Sequence, residues 1–404
     1  MLFKIAFRNV FRQKRRTILT GLTILGGFVL SALAIGISDG TYTSVIELFT
    51  RSRLGHIQIH AQGYLDKPSL YKTIDNFSEI GRRVQQLPGV ASWTPRLYSA
   101  GLVAVGEKSA GVQIIGIDTE REIAATRFDR KIVAGRIFSQ NATPEAILGK
   151  GLAKVLQADV GDEIVVLSQA ADGSIANALY RVAGISDSGD EFADRMAFYL
   201  PLPEAQELLA LPQRVHEIVV IARDLEEVDE LTEELRSTFA GPDLAIAPWQ
   251  EFARSFYDAM KMDQQGTWIS LFIILLIVAI GVLNTVLMSV LERTREYGVL
   301  KAVGTQPAQI FKLVLYEVNV ITLVSVILGA ACAVALNYWL SLRGIALPEP
   351  FTFAGVEFKA MYSEVNLRSL LIPTITVIVT ANLVSLFPSV KAAHIEPARA
   401  LRLH

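Results

Sequence analysis

Cysteine is nearly missing: Cys332 is the only one, and it sits inside an apolar run. No intrachain disulfide and no cysteine-based metal site can form. Charge is scarce too. Only 19% of the 404 residues are charged, below the ~25% usual for soluble domains. The net charge is -2, so no basic field points to a nucleic-acid partner.

Catalytic signatures are also absent. Gly149-Lys150 looks like the end of a Walker A loop, but Pro144 stands where its first glycine is needed. Gly151 occupies the Ser/Thr position, so Gly149 reads as a helix start. His56 and His60 are spaced i, i+4, which suits a metal only on a helix. Here the pattern alternates like a strand, with no third ligand nearby. Neither Gly-x-Ser-x-Gly nor His-Glu-x-x-His occurs. Asp187, Asp190, Glu191 and Asp194 share a loop without EF-hand spacing, read as a solvated loop. The expectation is a chain with no catalytic residue, no metal and no cofactor of its own.

What the chain has is long apolar runs. Residues 18–38, 268–291, 318–340 and 370–387 contain no Lys, Arg, Asp or Glu. A span needs about 20 apolar residues, and a central charge costs roughly 2.5–3.5 kcal/mol on insertion scales. Asn284, Asn337 and Asn382 lie within these runs, as interhelical hydrogen-bonding groups or as a polar path. The first run contains Ala32-Leu33-Ala34, which resembles a signal-peptide cleavage site. It continues as a helix pattern through Tyr42, Val45, Ile46 and Phe49, so an uncleaved span is expected.

Basic residues set the orientation. Lys4, Arg8, Arg12, Lys14, Arg15 and Arg16 precede the first run, and Arg293, Arg295, Lys301 and Lys312 follow the second. Lys391, Arg399 and Arg402 follow the fourth. The positive-inside rule puts both termini and residues 292–317 in the cytoplasm, with 39–267 and 341–369 outside. Residues 388–404 form a cytoplasmic tail. Residues 1–17 are amphipathic. Phe3, Ala6, Phe7, Val10 and Phe11 share one face, and Lys4, Arg8, Arg12 and Arg15 another. Such an elbow lies in the membrane interface, with Arg8, Arg12, Arg15 and Arg16 toward anionic headgroups.

Residues 39–267 read as an α+β extracytoplasmic domain on helical stalks. Strand-like runs include 56–60, 102–105, 112–117, 164–167, 180–185 and 217–222. Residues 77–86, 151–156, 202–211 and 225–239 read as helices. Residues 128–211 form an inserted lobe, giving two lobes. Phe252, Phe256 and Met260 recur at i, i+4, i+8, an amphipathic helix running into the second span.

The segment from Glu292 to Ile310 is a short helix that breaks at Gly304, followed by a helix that Thr305 caps and Pro307 opens. It is a compact knob suited to a groove on a soluble partner. Here Arg293, Glu296, Gly298, Leu300, Lys301, Ala302, Val303, Gly304 and Ile310 resemble the pattern R-x-x-E-I-G-x-L-R-A-L-G-A-x-x-x-x-I. That pattern marks ABC permeases of the MacB/LolC/LolE type, the type VII or mechanotransmission class. Tyr297 replaces its common Ile and Lys301 its common Arg. Phe7-Arg8-Asn9-Val10 with Arg15-Arg16-Thr17 resembles the family's N-terminal segment. Phe387-Pro388-Ser389 with Pro397-Ala398-Arg399-Ala400-Leu401-Arg402 resembles its closing one, with Arg399 where Glu is usual.

The resemblance implies a multi-pass protein of the bacterial inner membrane, the permease subunit of an exporter, closest in look to lipoprotein-releasing permeases. It implies a separate ATPase dimer that holds ATP and Mg, and a second permease chain, identical or homologous. A periplasmic or outer-membrane partner and a lipoprotein or other amphiphile as cargo also follow from it. Drug, peptide or siderophore export and a non-transporting signalling role are the alternatives. Glu292, Arg293, Arg295, Glu296, Gly298, Lys301, Ala302, Gly304 and Thr305 are the residues expected to couple to the ATPase.

Overall fold

The computed structural model describes residues 2–12, 14–139, 144–353 and 356–400. They divide into a helical unit and an α/β unit. The helical unit is built from α1 (Leu2–Arg12), α2 (Lys14–Phe49), α3 (Arg254–Glu292), α4 (Thr294–Ala302), α5 (Pro307–Arg343), α6 (Leu367–Ala393) and α7 (Pro397–Ala400). Of these, α2, α3, α5 and α6 are long and apolar enough to cross a membrane. Hydrocarbon offers backbone groups no water, so a spanning segment must satisfy them internally, and a helix does. The 36 residues of α2 and the 39 of α3 outrun a ~30 Å hydrocarbon layer, at about 1.5 Å per residue.

Lipid supplies no hydrophobic drive between helices, so close packing and interhelical hydrogen bonds hold the unit together. Ile24 and Phe28 of α2 join Val278, Val282 and Val286 of α3 and Val326 of α5 in one buried cluster. A Cβ on Gly27 would overlap the Val278 side chain, so only glycine lets α2 and α3 meet there. Asn319 and Asn382 exchange reciprocal amide bonds of 2.9 and 3.1 Å between α5 and α6. Asn337 donates to the Ala32 carbonyl at 3.3 Å and accepts from Ser363 at 2.8 Å. Asn337 and Asn382 are therefore interhelical groups.

The α/β unit carries ten strands in one sheet: β1 (Ile57–Ala61), β2 (Val90–Val105), β3 (Lys108–Ile117), β4 (Ile132–Gly135), β5 (Glu145–Gly149), β6 (Glu163–Gln169), β7 (Ile175–Ser186), β8 (Ala197–Pro201), β9 (Glu217–Ala222) and β10 (Leu244–Pro248). The order is β10-β1-β9-β2-β3-β8-β5-β7-β4, and β6 pairs with β2 and β7. The strands of residues 128–211 thus continue the sheet through β3 and β2. Gly149 precedes the helix Lys150–Leu156, the helix start expected of it.

Three details depart from expectation. The stripe of Phe252, Phe256 and Met260 is broken: a short helix ends at Phe252 and α3 begins at Arg254. Phe256 still stacks on Phe49 at 3.9 Å. Asp194 is buried and accepts the Ser188 N–H at 2.9 Å, so its loop is not simply solvated. Strand β1 lies between β9 and β10, and its side chains are buried on both faces.

Its histidines therefore sit inside the domain. His56 Nδ1 accepts the Ala222 N–H at 3.0 Å. Burial, aided by the nearby Arg51 charge, lowers the His56 pKa to about 4. Beneath the same sheet Arg96 donates to Glu122 at 2.6 and 3.1 Å, and Thr94 and Thr126 complete that carboxylate. Burial alone would raise Glu122, but the Arg96 charge and these hydrogen bonds hold it below the ordinary carboxylate range.

Both shifts have the same sign in stability. An unfolded His56 binds its proton near pH 6.5 and the folded one near 4, so stability falls as pH drops through that window. The full loss is roughly 3 kcal/mol, at about 1.4 kcal/mol per pH unit. Glu122 extends the loss below its unfolded pKa. Unfolding of the detergent-solubilised chain should show this slope between pH 6.5 and 4. His56→Asn, which keeps an acceptor toward Ala222, should flatten it.

Candidate functional site

The loop between α3 and α5 is built on an amphipathic helix. On α4, Tyr297 and Gly298 are buried and Lys301 is half-buried. Arg295, Val299, Ala302 and Val303 are exposed at i, i+4, i+7, i+8, so they form one outward stripe. Val299 is 45% exposed and Val303, the residue that caps the nine-residue helix, 83%, a large apolar display for so short an element.

Arg293 stands at the N-terminus of α4 and is only 8% exposed. Its Nη1 donates to both Glu317 oxygens, at 2.8 and 2.9 Å, and its Nε donates to Glu296 at 2.8 Å. Asn9 of α1 donates to the same Glu317 carboxylate at 2.7 Å. Burial works against the Arg293 charge, yet the Tyr297 phenol and the Glu317 and Glu296 carboxylates hold its pKa above the ordinary value. The Tyr297 ring lies 5.2 Å beneath the guanidinium. Burial, with Glu317 close by, pushes the Tyr297 phenol up. Tyr297 Oη has no hydrogen-bond partner among the described residues.

Two more of the predicted residues face inward. A Cβ on Gly298 would come within 2.5 Å of the Ala400 Cβ, so glycine lets α7 approach α4. Lys301 Nζ donates to the Ala393 and Ile395 carbonyls at 3.0 and 2.9 Å, satisfying acceptors at the end of α6. Arg293, Gly298 and Lys301 therefore hold the loop together and do not lie on its outer surface, as residues that contact an ATPase directly would. Glu292, Arg295, Glu296, Ala302 and Gly304 are exposed, and Thr305 is intermediate. Gly304 has φ +101°, and bonds from Thr305 N to Leu300 O and from Gly304 N to Lys301 O close a Schellman turn. Thr305 does not cap α5. Gln306 is its N-cap, in a reciprocal capping box with Gln309, and Pro307 opens the helix as expected.

In the elbow, Arg8, Arg12 and Arg15 are exposed, whereas Arg16 turns toward Glu292 at 3.7 Å. Phe7 is exposed but Ala6 and Val10 pack inward, so the apolar face is shared between protein and surroundings. The side chains of Phe3, Lys4, Phe11 and Arg399, and all of Arg402, lie outside the described residues.

Sequence reasoning named Asn9 only as a motif position and missed Glu317, because the two meet across a long stretch of chain. It also missed the exposed Val299 and the outward display of Val303, which a helical projection of residues 294–303 separates from Tyr297 and Gly298.

Residues 17–238 match the model of the MacB-like periplasmic core domain, and residues 268–397 that of the FtsX-like permease C-terminal. The chain is 22% identical to the lipoprotein-releasing system transmembrane protein LolC of Neisseria meningitidis, over 98% of each. It is 26% identical to the macrolide export ATP-binding/permease protein MacB of Campylobacter jejuni, over 99% of this chain and 61% of that one. The periplasmic region of MacB from Actinobacillus actinomycetemcomitans matches 50% of this chain and 92% of that one, with 19% identity and a TM-score of 0.37.

Removing one partner of a buried ion pair leaves the other uncompensated, at about 3–5 kcal/mol, whereas an apolar pair of similar volume is near neutral. Glu317→Leu should therefore destabilise the chain by about 3 kcal/mol, and adding Arg293→Met should recover most of that loss. A double-mutant cycle on unfolding in detergent micelles checks this. Additive effects would mean that the pair is not coupled.

Proposed function

The chain belongs to the family of permeases that carry a MacB-like periplasmic core domain and an FtsX-like C-terminal module, and from that premise we propose that it is the permease subunit of an ATP-driven ABC exporter. The carrying observation is α4. Its inner face is locked by Arg293, Gly298 and Lys301, and its outer stripe of Arg295, Val299, Ala302 and Val303 has no cover among the described residues. A rigid helix with an apolar outer stripe suits a groove on a soluble ATPase.

In this reading ATP and Mg are held by a separate ATPase dimer, and the permease does no bond chemistry. Closure of that dimer moves α4, and α2 and α3 carry the stroke outward. Residues 292–317 and both termini are cytoplasmic in the bacterial inner membrane, residues 39–267 are periplasmic, and Arg8, Arg12 and Arg15 meet anionic headgroups. A second permease chain completes the unit, and a periplasmic or outer-membrane partner receives the cargo. The LolC relative, named for lipoprotein release, supports a lipoprotein or similar amphiphile as cargo. The MacB relative, named for macrolide export, supports drug export as a second reading.

Val303→Asp alters the outer surface without touching any Arg293 bond, Glu296→Lys also removes the 2.8 Å bond from Arg293 Nε, and Gly304→Ile strains the Schellman turn in open space. Each should leave the chain inserted while lowering ATPase capture at least tenfold or uncoupling turnover from cargo. Pull-down and ATP turnover in lipid nanodiscs check this. Unchanged capture and turnover in all three variants would reduce this loop to a turn.

Topology has its own test. In a Cys332→Ala background, an impermeant maleimide added from outside should label Ser188→Cys and leave Thr305→Cys unlabelled. The reverse pattern would invert the protein.

A further inference from the structure

The helical unit contains an apolar cavity of about 270 Å³ under the elbow. Phe7 of α1, Ile18 and Gly21 of α2, and Val324, Ser325 and Leu328 of α5 line it. It is a groove open to the side, because Ile18, Val324 and Leu328 on its two walls are all exposed. Gly21 sets its width: a Cβ there would meet only the Ser325 hydroxyl, at 3.3 Å, and the Ile321 side chain at 4.0 Å. Water does not stay in so apolar a space, and an unfilled one forfeits contacts on every wall. A groove of this kind that faces hydrocarbon takes an acyl chain.

Its mouth sets it apart from other lipid-facing surfaces. Lys14, Ile18, Gly21 and Leu25 recur at i, i+4, i+7, i+11, and Arg15, Ile18 and Leu22 at i, i+3, i+7. Both cations therefore stand about one turn, ~5.4 Å, before the Ile18 end of the groove and on the same face of α2. Both are exposed, and neither has a carboxylate partner among the described residues. Residues 1–17 carry six cations and no acid, so α1 and the start of α2 supply no counter-charge. A second polar feature lies inside. Ser325 is 4% exposed, and its hydroxyl has no hydrogen-bond partner among the described residues. Acyl methylenes cannot accept that proton, whereas the ester carbonyl of a glycerolipid can.

We propose that this groove is a lipid site. One acyl chain of an anionic diacylglycerophospholipid lies between α2 and α5 beneath α1, and Lys14 and Arg15 hold its phosphate. The site rests on the orientation proposed above for its leaflet, the cytoplasmic one. The same α1 carries Asn9 to Glu317, so the lipid supports the element on which the Arg293 clamp is seated.

Photolabelling of the full chain in nanodiscs tests the site, with phosphatidylglycerol that carries a diazirine on one acyl chain as the probe. Peptides covering residues 18–25 and 320–328 should be labelled, and unlabelled phosphatidylglycerol should compete there at least tenfold better than phosphatidylcholine. Lys14→Gln combined with Arg15→Gln should abolish that preference, whereas Lys391→Gln, at an exposed cation of α6, should leave it intact. Leu22→Trp, which narrows the groove from its open side, should cut labelling of residues 320–328 several-fold. All of these positions are exposed, so the changes leave the packed interior alone. Equal competition by the two lipids, or a preference that survives the double change, would overturn the proposal. Undiminished labelling of residues 320–328 in the Leu22→Trp variant would also overturn it. The readout involves neither ATPase nor cargo, so it can fail while the coupling tests succeed, and the reverse.

Discussion

The corner where α3, α4 and α5 meet depends on the ion pair between Arg293 and Glu317. Taking two charges out of water costs several kcal/mol each, and only excellent geometry offsets it. Here both Glu317 oxygens receive Arg293, Asn9 adds a third hydrogen bond, and Glu296 takes the remaining edge of the guanidinium. Such a pair adds little net stability over an apolar equivalent. Its effect is to penalise every arrangement in which one partner is alone. The orientation of α4 on α5, and the seating of α1 beside both, are selected in this way. The outer stripe of α4 points outward because the inner face has no other satisfied position.

The spans follow a related rule by other means. Without a hydrophobic drive, contact comes from small residues and from amides. Gly27 admits Val278, and Asn337 and Asn382 are each bonded across helices. An amide in hydrocarbon has few acceptable positions, so a few asparagines restrict how the helices can rotate. The α/β unit applies the same constraint in a water-soluble setting. Arg96 and Glu122 are buried together with Thr94 and Thr126 completing the carboxylate, and His56 stays neutral because it is buried beside the Arg51 charge.

Much of this was legible in the sequence where the signal is local. Charge-free runs give the spanning helices because a single charge there is so costly. Gly304 as a left-handed stop and Pro307 as a helix opener were readable because each acts through its own backbone. The strand at 217–222 was visible from its β-branched run. What stayed hidden depends on distant partners. Nothing near Arg293 in sequence announces Glu317 or Asn9, so a buried clamp reads as one more residue of the coupling surface. Thr305 outranks Gln306 as a cap on intrinsic preference, but the reciprocal bond with Gln309 favours Gln306. The burial of both faces of β1 could not be read from alternation, because it depends on residues remote in the chain that pack over the sheet.

The loop signature therefore consists of two superposed patterns. Arg293, Gly298 and Lys301 serve the fold: one neutralises Glu317, one admits Ala400, and one satisfies the end of α6. Arg295, Val299, Ala302 and Val303 serve the surface, and their spacing places them away from the first set on a helix of 3.6 residues per turn. A substitution in the first set acts by moving the helix, and one in the second acts without moving it. Loss of partner binding after a change at Arg293 would accordingly say little about contact, whereas the same loss after a change at Val303 would say a great deal. Arg293 and Gly298, two of the signature's own positions, are therefore the less direct reporters of docking, and Val303 is the more direct one.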